Sequence, residues 1–237
     1  MSSSLRSVPS PSSSRRLLGL AGSLLAALAL PPSDRAHAAE VTVQNDSVTD
    51  FAQVAIQAGF AANERGAAWL TSPCEGDIVA VQVFWRSQFG SVGSQLGDSI
   101  TVSQAGTFPV PGAPLAVLVG PLMQDGFLNE FRFLDEAGTI PLQVPVTTGQ
   151  GFVVDFRFFD PPPILGPSLV TDIDGCQAGK NGIFAIPPSS WFSSCALGVS
   201  GDFVIRAVVD CADVAPVPIF SDGFESGDTS AWTSTVP

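Results

Sequence analysis

Apolar and polar positions alternate with a period of two along much of the chain after residue 39. In GFVVDFRFFD, residues 151–160, Phe152, Val154, Phe156 and Phe158 fall on one face, and Val153, Asp155, Arg157 and Phe159 fall on the other. Successive strand side chains point to opposite sides, so this period predicts a strand with one face in a core. GDFVIRAVVDC, 201–211, repeats it with Phe203, Ile205, Ala207 and Val209 inward and Arg206 and Asp210 outward. GFLNEFRFLDE, 126–136, does so through Phe127, Phe131 and Phe133, and DIVAVQVFWRS, 77–87, is apolar on both faces and predicts a central strand. Shorter runs predict strands within 41–45, 52–60, 67–72, 99–104, 115–121, 141–146 and 168–173, with Gly and Pro between them. Trp69 and Trp85 lie in these strands and are expected in the core. About ten short strands without regular helices predict an all-β fold, an antiparallel β-sandwich of jelly-roll type. No repeat argues for a propeller or a β-helix. One register can be written from charge: if 127–134 and 151–159 pair antiparallel, Glu130 faces Arg157 and Arg132 faces Asp155.

The N-terminal pattern is different. Arg6, Arg15 and Arg16 precede an apolar run from Leu17 to Leu30, and Pro31 and Pro32 end it. That run is too short to span a bilayer and suits the apolar part of a signal peptide. Ala36-His37-Ala38 fits the small-x-small rule, which predicts cleavage after Ala38 and a mature chain starting at Ala39. Ser14-Arg15-Arg16 leaves both general secretion and twin-arginine export open. The expected organisation is a signal peptide at 1–38, a β-sandwich domain at 39–212, and a Pro-containing linker with an acidic tail at 213–237. The expected location is secreted or cell-surface, with the periplasm as the alternative. No other stretch is long and apolar enough to predict a membrane helix.

Composition then narrows the chemistry. The chain of 237 residues carries a formal charge of −12, and removing 1–38 leaves six basic and twenty-one acidic residues, a charge of −15. Nucleic acid is therefore a poor partner, since phosphate binding needs clustered Lys and Arg. The single histidine, His37, leaves with the signal, there is no Tyr, and Lys180 is the one lysine. This excludes Ser-His-Asp and Cys-His catalysis and His-based metal sites in the mature chain. Carboxylate chemistry remains: a glycosidase pair, for which Glu130 and Asp155 are the candidates, or a calcium site. Cys74, Cys176, Cys195 and Cys211 read as two disulfides in an exported chain. Three pairings are open; the favoured one joins Cys176 to Cys195, closing a local loop, and Cys74 to Cys211, tying an early strand to the last.

Two segments carry resemblances. IFSDGFESGDTSAW, 219–232, resembles a tail that recurs at the ends of otherwise unrelated secreted bacterial proteins. AAWLTSPCEGDIVAVQVFWRS, LNEFRFLDE, DGCQAGKNG and GDFVIRAVVDC resemble segments of secreted bacterial β-sandwich proteins with no assigned activity. The body also loosely resembles the sandwich modules appended to exported hydrolases. That resemblance implies sugar binding or attachment and transfers no active-site residue.

The densest chemistry lies in TDIDGCQAGKNG, 171–182. Asp172 and Asp174, followed by Gly175, begin like a calcium loop but lack its third Asp and closing Glu. Lys180 and Asn181 supply donors, and Trp191 lies within the Cys176–Cys195 ring as an aromatic platform. That set suits a glycan, whose apolar face stacks while its hydroxyls hydrogen-bond. The bland alternative is a disulfide-pinned polar loop with Trp191 packed beneath it. In the tail, Asp222, Glu225 and Asp228 suit either a cation or plain solvation. The expected function is a non-catalytic binding or attachment module whose partner is a glycan or cell-surface component, with no cofactor apart from calcium. A carboxylate-dependent glycoside hydrolase and a structural surface or matrix protein are the alternatives.

Overall fold

The computed structural model describes residues 39–87, 93–159 and 168–212. The expected signal peptide, its cleavage point after Ala38 and the acidic tail lie outside these residues. Apart from one 3₁₀ turn at Cys195–Leu197, regular structure among the described residues is all strand, β1 to β15 in chain order. Sheet I has five strands: β1 (Ala39–Val43), β4 (Gly76–Trp85), β9 (Phe127–Phe131), β10 (Val144–Val146) and β15 (Ile205–Cys211). Its order is β1-β15-β4-β10, with β9 also pairing β4. Sheet II has six: β3 (Arg65–Thr71), β6 (Ser99–Gln104), β7 (Pro114–Val119), β11 (Gly151–Arg157), β13 (Asn181–Ala185) and β14 (Ser190–Ser193). Its order is β14-β13-β3-β11-β6-β7. Two small pairs complete the set: β2 (Ala55–Ala58) with β12 (Ser168–Thr171), and β5 (Ser94–Leu96) with β8 (Leu122–Gln124). Every pairing is antiparallel.

The all-β antiparallel sandwich is as the alternation predicts. The strand count exceeds the expected ten, because 94–96, 122–124, 181–185 and 190–193 are short runs broken by turn residues in which a period of two hardly shows. The core forms between the inward faces of the two sheets: Phe152, Val154 and Phe156 from β11, Ile100 and Val102 from β6, and Ile205, Ala207 and Val209 from β15. Trp85 joins them at 1% exposure. Burying each such large side chain contributes about 1.5–3 kcal/mol. Packing is close enough that Gly66 has no room for a side chain: a Cβ there would stand 2.0 Å from Leu169 Cδ1.

Three expectations need correction. The proposed register between 127–134 and 151–159 does not exist, since β9 pairs β4 in sheet I and β11 lies in sheet II. The charges are satisfied elsewhere. Arg132 donates to Glu130 at 2.6 Å and bidentately to Glu40 at 2.8 Å, while Arg65 reaches Asp155 at 3.3 Å. Second, Arg206 faces outward from sheet I yet is buried. The chain after β1 crosses it, so Asp46 accepts both guanidinium bonds, the Val48 carbonyl a third, and Phe51 stands 5.6 Å from the guanidinium carbon. Val48, Phe84, Val170 and Val204 form a second small apolar cluster there. Third, Trp69 lies not in the core but on the outer face of sheet II, its ring over Gly182 and its Nε1 donating to the Ala105 carbonyl at 2.8 Å.

Both expected disulfides are present: Cys74–Cys211 and Cys176–Cys195, with Cα separations of 5.7 and 5.6 Å. Such bonds persist in oxidising compartments. Among the described residues no helix is long and apolar enough to cross a membrane.

Candidate functional site: the edge hairpin of sheet II

The segment expected as one polar loop, 171–195, contains the hairpin β13–β14, which pairs Gly182 with Ser193 and Phe184 with Trp191. Three ties fix it. The Cys176–Cys195 disulfide closes its base. Asn181 is fully buried: its Nδ2 donates to Asp202 Oδ1, and its Oδ1 accepts the Phe203 N–H at 3.3 Å. At the far end Glu64, itself buried, accepts the Ile186 N–H at 2.6 Å and the Ala61 N–H at 2.7 Å. The hairpin is therefore a fixed edge of the sheet rather than a free loop.

This fixes where each expected ligand residue stands. Asn181 is corrected: its amide is consumed by Asp202 and Phe203, so it has become a structural residue. Asp172 is likewise buried, with Oδ1 accepting the Asp202 N–H at 2.7 Å and Oδ2 the Ser47 N–H at 3.0 Å. Asp174 is exposed, and Lys180 is partly exposed, its carbonyl accepting the Trp69 N–H at 2.8 Å. Burial pushes the carboxyls of Asp172 and Asp202 above the usual carboxylate range. Asp202 Oδ2 is buried and accepts no hydrogen bond. Among the described residues no group of three or more His, Cys, Asp or Glu is placed to hold a metal ion, so the calcium expectation finds no converging ligand set there.

Trp191 is different. It is partly exposed on β14, tilted against Phe184 at 5.5 Å between ring centroids and edge-on to Trp69 at 6.1 Å. Trp69 in turn meets Phe108 edge-on at 5.0 Å. Phe184 opposes Arg65, and Arg65 opposes Arg157. The aromatic pair thus leads directly into two guanidinium groups on the same face. Arg65 pairs with Asp155, and Arg157 with Asp98 at 3.2 Å and with the Asn63 side chain. Burial pushes Asp155 up to about 6, against the opposing pull of Arg65 and Arg157.

The sequence alone does not mark Phe184, Arg65 or Arg157 as ligand residues, Arg157 entering only as an expected ion-pair partner of Glu130. A signal for Phe184 exists in IFAIPPSSWF, two apolar runs around a Pro-Pro-Ser-Ser turn, which is a hairpin pattern. The two arginines become neighbours only through the long-range pairing of β3 with β11, which no local pattern encodes. Glu130 and Asp155, the candidate glycosidase pair, do not meet. They lie in different sheets, each pointing away from the shared core, and Glu130 is held by Arg132 and Gln82. A groove of about 350 Å³ runs beside β7, β8 and β9 and is lined by Val119, Leu122, Glu130, Arg132, Phe133 and Asp135 among others. Comparison with protein-family models, with curated proteins and with solved structures finds no match.

Proposed function

We propose that this chain is an exported, non-catalytic binding or attachment module that takes a glycan on the outer face of sheet II. The observation that carries the reading is the partly exposed Trp191–Phe184 pair on a hairpin fixed at both ends, beside Arg65 and Arg157. A sugar ring has an apolar face that stacks on an aromatic surface, and hydroxyls that need both donors and acceptors. The guanidinium groups supply donors and the partly exposed Asp98 carboxylate an acceptor. Fixing the platform in advance lowers the ordering cost of binding. Export is supported by the leader-like pattern of 1–38 and by two disulfides of the kind that persist outside the cytoplasm. A glycan array probed with the wild type and Trp191→Ala tests the reading. Binding by the wild type and its loss in the variant is the expected outcome; no binding, or binding unaltered by the change, would overturn it.

A further inference from the structure

The register of sheet II sets one continuous line of side chains across all six strands: Trp191, Phe184, Arg65, Arg157, Ser99 and Val119. Directly opposed residues in a sheet share a face, and neighbouring strands lie about 4.8 Å apart, so the line is about 24 Å long. The row beside it, Ser193, Gly182, Ala67, Asp155 and Thr101, is short or buried until it reaches exposed Val117, and Ser99 in the first row is buried as well. The long side chains of the first row are therefore what this part of the face offers a ligand. Chemistry changes along the line from two aromatic rings, through two guanidinium groups, to an apolar end at Val119, which is 71% exposed and also lines the groove beside β7.

Charge decides the class of ligand. The two guanidinium groups would attract an anion if they stood alone, but each already faces a carboxylate, Arg65 with Asp155 and Arg157 with Asp98. The row is thus locally neutral while the chain as a whole carries −12. A polyanionic chain would meet no unbalanced positive charge on this face and would be repelled at longer range. An uncharged chain loses nothing on either count. It still finds N–H donors not used by the carboxylates, the partly exposed Asp98 carboxylate as an acceptor, and aromatic surface for its sugar rings.

We infer that the ligand is an uncharged polysaccharide lying across the strands of sheet II, from the Trp191–Phe184 end over Arg65 and Arg157 towards Val119; this rests on the glycan reading above. Affinity electrophoresis of the disulfide-intact protein tests it. The gels hold neutral chains (a soluble β-glucan, a galactomannan) or acidic ones (polygalacturonate, alginate), and the variants are Trp191→Ala and Arg65→Lys. Melting temperatures of both variants report that they are folded. The expected result is retardation by a neutral chain only, insensitive to added salt, weakened about tenfold by Trp191→Ala and measurably by Arg65→Lys, which keeps the charge but removes the planar fork. Retardation by acidic chains alone, abolished by salt, would overturn the uncharged class and leave the glycan site standing. Retardation lost in Trp191→Ala but unaltered in Arg65→Lys would overturn the path across the strands. No retardation by either set would overturn both this inference and the reading beneath it.

Discussion

Arg206 and Asp155 both occupy outward strand positions, and both are buried, with opposite consequences for stability. Arg206 is fully matched by Asp46, the Val48 carbonyl and the Phe51 ring. Removing one partner strands the other charge, so Asp46→Ala is expected to lower stability by about 3–5 kcal/mol in urea unfolding. The double variant Asp46→Leu with Arg206→Met should cost clearly less than the single change, because it leaves no orphan. Asp155 works the other way. Its folded carboxyl is raised to about 6, mainly by burial, against about 3.9 when unfolded. Folding therefore favours its protonated form. Its contribution is fully present below about pH 4 and is lost as pH rises through about 6. Between neutral pH and about pH 5 the wild type should gain stability relative to Asp155→Asn, by about 1 kcal/mol. A constant difference between the two proteins across that range would contradict the shift. The alternation of residues 151–159 and 201–211 marks their inward faces well. It fails for Asp155 and Arg206 because a period of two tells which face a residue is on, and not what lies against it there: the Arg65 side chain beside Asp155, and the chain after β1 over Arg206.

Among the elements, the β13–β14 hairpin matters most and was least visible in the sequence. Its strands are short, and IPPSS between them reads as a break rather than as the turn of a hairpin. The cysteines around it were legible, since a local Cys176–Cys195 ring is the economical pairing, and that ring holds the base of the hairpin. Replacing both cysteines by Ser should cost about 3 kcal/mol by loop-closure entropy. It should also weaken glycan retention while leaving the core fold, read by far-ultraviolet circular dichroism, intact. Loss of Cys74–Cys211, which closes a span of 137 residues, should cost more, about 5 kcal/mol. At the opposite end, Glu64→Ala releases the Ile186 and Ala61 N–H groups. A loss of about 1–3 kcal/mol is expected, with faster amide exchange confined to the hairpin and the 61–64 turn.

For the whole molecule, the class of fold follows from strand periodicity and the presence of two cross-links from an even cysteine count, while the structure selects their pairing from three. The partition of strands between sheets follows from neither. Glu130, Arg132, Asp155 and Arg157 satisfy the arithmetic of a shared register, yet β9 and β11 sit in different sheets. Each charge finds a nearer partner, and surface ion pairs are too weak to dictate topology. The site is legible in part for the same reason. Trp191 stood out as an exposed aromatic within a cross-linked polar segment, whereas Arg65 and Arg157 join it only once β3 is seated between β13 and β11. The resulting face is what the proposed function depends on, and the indole N–H signals in a two-dimensional NMR titration report on it directly. With the neutral oligosaccharide that binds most tightly, the largest shift is expected at Trp191 and none at core-buried Trp85; a Trp191 signal unmoved at saturation, or a shift at Trp85 of equal size, would contradict a ligand on this face.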